Sequence, residues 1–87
     1  MNVGDVVYSD KYAMAWVSIE FIQLCDLVHA GSIGARYEYL DEGMMIVIAT
    51  MGEWFTAYFP KMHRYVYVHA RDKSPGIRRV VRAGAST

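Results

Sequence analysis

Apolar and polar positions fall into short blocks, and their period changes along the chain. Residues 3–8 form a brief β-branched run that stops at Ser9-Asp10, a pair suited to capping a helix N-terminus. Over residues 11–30 the apolar side chains Met14, Val17, Phe21, Leu24 and Val28 recur at spacings of 3, 4, 3 and 4. With Ala13 and Cys25 beside them they form the stripe of an amphipathic helix, and Gly31 suits its C-cap. A second, interrupted stripe of Tyr12, Trp16, Ile19 and Leu27 lies roughly 100° away. A helix resting on one sheet needs a single apolar face. This stripe is therefore either covered by the N-terminal strand and loops or is a contact surface.

Beyond Gly31 the period becomes 2. Residues 35–40 alternate, with Tyr37 and Tyr39 on one face and Arg36 and Glu38 on the other, and Asp41-Glu42-Gly43 reads as a hairpin turn. Residues 44–50 are an unbroken apolar run fit for a central strand. Gly52-Glu53 reverses the chain into 54–59, which Pro60 ends. Residues 62–71 alternate again, 77–82 form a last strand, and the tail 83–87 carries nothing that would order it alone. The expected fold is α+β: one long helix packed on an antiparallel sheet of four to five strands, in the order β-α-β-β-β-β. The far face of that sheet is wet or covered by a partner. The length, 87 residues, fits a single domain spanning 1–87.

Charge changes this picture once it is read by segment. The formal net charge is zero, which argues against a uniformly basic nucleic-acid binder. Residues 1–60, however, hold eight acids and two bases, whereas the basic C-terminal segment from 61 holds seven bases and one acid. Either the two parts neutralise each other inside the domain, which is the simpler reading, or each marks a docking surface. The single cysteine, Cys25, cannot form an intramolecular disulfide. With no signal-peptide pattern and no apolar run of about 18 residues, a cytoplasmic protein without a membrane association is expected.

Candidate chemistry is sparse. His63, Tyr65, Tyr67, His69 and Arg71 occupy every second position and share a strand face, leaving Val66, Val68 and Ala70 to pack inward. Along a strand His63 and His69 stand about 20 Å apart, too far to ligate one metal, so no metal or cofactor is expected. As a recognition stripe these residues are more persuasive: Tyr65, Tyr67 and His69 can stack or fill pockets, while Arg71, Arg78, Arg79 and Arg82 can meet carboxylates or phosphates. Cys25 and His29, four apart beside Asp26, form a thiol–imidazole pair on the expected helix. Cys25 sits at the edge of the core stripe, where a free cysteine is filler, and His29 suits a helix C-terminus. Glu38, Asp41, Glu42 and Glu53 do not converge on one bond and read as a solvated acidic rim.

Six methionines and twelve aromatics in so short a chain supply the remaining signal. Met51, Trp54 and Met62 fall near turns, and Trp16 lies on the second stripe, so these side chains are expected at an interface. The expected function is that of a small, non-enzymatic binding protein. It occupies a protein partner's surface through an aromatic and methionine centre ringed by charge, and a homodimer is one such partnership. In size and in lacking catalytic motifs it fits the class of small proteins with which phages and other mobile elements inhibit a host defence machine. The alternative is a nucleic-acid-binding module using Arg78-Arg79-x-x-Arg82 and the rest of the basic segment. A third reading is a small thiol enzyme around Cys25 and His29.

Overall fold

The computed structural model describes residues 1–27, 34–70, 76–81 and 84. Seven strands make one antiparallel sheet: β1 (Val6–Ser9), β2 (Met14–Ser18), β3 (Arg36–Tyr39), β4 (Gly43–Met51), β5 (Trp54–Phe59), β6 (Arg64–His69) and β7 (Ile77–Val81). Their order across the sheet is β3-β2-β6-β5-β4-β1-β7. Among the described residues the only helical piece is a 3-10 turn at 24–27. The fold of the described residues is thus all-β, and over 11–27 the expected long helix is absent.

The physical reason lies in the two apolar stripes. Ala13, Ala15 and Val17 are 3%, 4% and 3% exposed and face the core, while Met14 and Trp16 point the opposite way. Helical spacing puts Met14 and Val17 on one stripe and Trp16 on another, but in a strand held between β3 and β6 Met14 and Trp16 share one face and Val17 lies on the other. Tyr12, Trp16, Val17, Ile19, Phe21 and Ile22 are aromatic or β-branched, which favours extended backbone. Ser9 caps no helix. It ends β1 fully buried, and the next N–H, that of Asp10, donates to Gly76 O at 2.8 Å. Val28, His29 and Gly31 lie outside the described residues.

The other expected strands survive with shifted ends, and 54–59 coincides with β5. The expected hairpin at Asp41-Glu42-Gly43 does not form, because β3 pairs with β2 while β4 pairs with β5 and β1. Edge-to-face contacts between Trp16 and Tyr37 and between Tyr12 and Tyr39 fasten β3 to β2 instead. Gly43 packs tightly where it starts β4: a Cβ there would stand 2.9 Å from the ring of Phe59, which is wholly buried. The turn at Gly52-Glu53 does reverse the chain, and Gly52 takes φ 59° at the position where a two-residue hairpin favours glycine.

One buried cluster joins Val7 of β1, Ala15 and Val17 of β2, Met45 and Val47 of β4, Phe55, Ala57 and Phe59 of β5, Val66 and Val68 of β6, and Ile77 of β7. β1 and β2 are four strand positions apart, about 19 Å across a flat sheet. Their side chains meet in one core only because the sheet curls over its inner face. The outer face is covered in part by residues 18–27. There Ile22 and Leu24 pack with Ala35 on Tyr67, bordered by Trp16, Leu27, Trp54 and Tyr65.

Candidate partner-binding groove

The outer face is built on Tyr67, which sits in β6 opposite Trp16 on one side and Thr56 on the other. Tyr67 is 1% exposed, so its hydroxyl must find partners inside the fold. It accepts a hydrogen bond from Ile22 N–H at 2.6 Å and lies 3.3 Å from Ser18 Oγ. The Ser18 hydroxyl donates in turn to Glu20 O. This relay pins residues 18–22 across the sheet and leads the chain into the 3-10 turn at 24–27.

Between that turn and the sheet runs an open groove of ≈ 500 Å³, lined by Trp16, Leu24, Cys25, Leu27, Met51 and Trp54. The groove owes its shape to strand order. Trp16 on β2 and Trp54 on β5 flank the β6 strand that carries Tyr67, and Met51 stands opposite Trp54 across the β4–β5 turn. His69 meets Trp54 edge-to-face with ring centres 5.1 Å apart, and its Nε2 lies 3.5 Å from a Glu53 carboxylate oxygen. These contacts fix the indole before anything binds, which lowers the entropy lost on binding. Met51, 47% exposed, adds a deformable apolar side chain. Glu53 and the exposed Asp26 are next to lining residues in sequence.

Thus Trp16, Trp54 and Met51, singled out in the sequence for separate reasons, line one groove. His69 supports its wall, and Tyr67 is buried with Ile22, Leu24 and Ala35 beside it. Tyr67 is therefore not an outward recognition residue. Tyr65 lies beside the groove in an aromatic row, with Phe21 at 5.7 Å and Tyr58 at 5.3 Å between ring centres. Arg71 and Arg82 fall outside the described residues. Leu24, Cys25 and Leu27 were missed as groove residues because a helical phase assigned Leu24 and Cys25 to a core stripe. Cys25 is exposed rather than core filler, and its expected neighbour His29 lies outside the described residues. Thr56 Oγ1, buried beside Tyr67, has no hydrogen-bond partner among the described residues.

The basic strand β7 lies away from this groove, at the other edge of the sheet. Arg78 Nη1 bonds Asp10 Oδ1 at 3.0 Å and stacks over the Tyr8 ring at 4.7 Å. Arg79 reaches the fully buried Asp5 carboxylate at 3.9 Å. The acidic first part of the chain and the basic last part therefore neutralise each other where β1 pairs with β7. Desolvation, and then the Glu42 carboxylate, raise the Tyr8 hydroxyl above its ordinary pKa, so it stays protonated as a donor. Lys61 Nζ donates to Glu42 O at 2.8 Å nearby.

Among the described residues no group of three or more His, Cys, Asp or Glu could hold a metal ion, and no helix is long and apolar enough to cross a membrane. No protein-family model, curated protein or solved structure matches this chain.

Proposed function

We propose that the protein is a non-enzymatic binding protein, and that a protein partner inserts an apolar side chain into the Trp16–Trp54 groove. The observation that carries this reading is the convergence of two half-buried indoles and an exposed methionine on one concave surface. Aromatic and methionine side chains around a concave site are the usual anchors of protein interfaces. Action by occlusion fits this chemistry, as would suit a small inhibitor of a host defence machine.

The nucleic-acid alternative draws less support, because Arg78 and Arg79 are already matched to Asp10 and Asp5. The two readings separate in one experiment. Met51→Glu and Trp54→Ala should each weaken association with the purified partner at least about tenfold, as expected for anchor residues, whereas Arg78→Ala should leave it within about twofold. The opposite pattern, with a steep loss of binding as salt rises, would favour a phosphate-bearing partner.

A further inference from the structure

We propose that the edge of β3 that no described strand pairs with pairs antiparallel with β3 of a second copy, in the register that sets Arg36 of each copy against Glu38 of the other. This interface is separate from the groove and does not depend on the function assigned there. The phase of the β2–β3 ladder fixes which backbone groups are free. Leu40 N–H donates to Ala13 O at 2.6 Å, so these opposed residues are a hydrogen-bonded pair. Alternation along the register then makes Glu38/Ala15 and Arg36/Val17 hydrogen-bonded pairs as well. The N–H and C=O of Tyr37 and Tyr39 consequently point away from β2, toward an edge that no strand among the described residues pairs with.

A second β3 can bond these groups only by placing odd-numbered residues opposite one another. With Tyr37 on the two-fold axis, Arg36 faces Glu38 of the other copy twice, in the non-hydrogen-bonded pairs where side chains lie closest. Sliding by two residues instead sets Glu38 against Glu38, so like charges reject that register. Both charged side chains lie on the inner face of β3, opposite Ala15 and Val17. Charges so placed deter a foreign strand, which leaves them unmatched, and a second copy alone matches both. The edge is also pre-shaped, because Tyr37 and Tyr39 are held by Trp16 and Tyr12. A two-fold axis normal to the sheet keeps both outer faces on one side, so the two Trp16–Trp54 grooves open in the same direction.

Sedimentation velocity of the full chain from micromolar to millimolar concentration tests the pairing. A concentration-dependent dimer is expected, weakened about tenfold by either Arg36→Glu or Glu38→Arg. The double variant R36E/E38R should restore it. Tyr37→Pro, which removes the N–H on the axis but is tolerated on an edge strand, should give a folded monomer by circular dichroism. Met51→Glu should leave dimerisation intact, which separates this interface from the groove. A monomer at every concentration, a dimer indifferent to the single reversals, or a double variant no better than the singles would overturn the proposal.

Discussion

Tyr67→Ala is expected to destabilise the fold by about 3–5 kcal/mol, the range for emptying a buried aromatic site. A domain of this length holds roughly 4–13 kcal/mol in total, so the variant should lose a large share of its stability. The effect is large because Tyr67 serves two layers. Its ring packs with Ile22, Leu24 and Ala35, and its hydroxyl holds the Ile22 amide. Tyr67→Phe separates the two roles. It keeps the ring and leaves the Ile22 N–H without its acceptor, which should cost about 1–3 kcal/mol. Urea unfolding reads both numbers, and hydrogen exchange of the Ile22 amide should accelerate in the Phe variant before global unfolding does. A Phe variant as stable as the parent, with Ile22 still protected, would mean that the hydroxyl does not pin residues 18–22.

Arg79→Ala and Arg78→Ala should differ although the residues are adjacent. Asp5 is 0% exposed, accepts a hydrogen bond from Asn2 N–H at 2.9 Å and has Arg79 Nη1 3.9 Å away. Removing Arg79 takes a guanidinium away from this buried carboxylate, at a cost of about 1–3 kcal/mol. The Arg78–Asp10 pair, with side chains 60% and 49% exposed, is screened by water and should contribute less than about 1 kcal/mol. Urea midpoints of the two variants decide the matter, and equal losses would contradict the distinction drawn between the two pairs. Arg78→Ala is therefore the cleaner probe of nucleic-acid binding, since a loss of binding in Arg79→Ala also reflects a weakened fold.

These effects bear on what the sequence could disclose. β4, β5 and β6 were legible because alternation, a glycine-containing turn and Pro60 mark them locally. β2 was not. Met14, Val17, Phe21 and Leu24 satisfy a helical period by coincidence, and the signal against it was the second stripe. A segment apolar on two faces and rich in β-branched and aromatic side chains fits a strand between neighbours. The hairpin at Asp41-Glu42-Gly43 was a sound local inference defeated by a long-range one, because Tyr37 and Tyr39 pack against β2. Trp16 on the second stripe and Met51 and Trp54 near a turn are expected at an interface from the sequence, and the fold lines one groove with all three. Leu24, Cys25 and Leu27 could not be placed beside them without knowing that residues 18–27 cross the sheet. The opposed charges of the two chain segments were visible in the sequence, but only the β1–β7 pairing shows that they meet each other.

Site-specific photocrosslinking in the native host tests the groove most directly. A photoreactive phenylalanine analogue at position 51 places the probe on the groove. The same analogue at position 44 places it seven residues away along β4, roughly 23 Å, on another exposed apolar stretch. A discrete adduct with one cellular protein is expected from position 51, lost when Trp54→Ala is added, and none from position 44. An adduct from position 44 and not from 51 would contradict it and move the interface to the open face of β4.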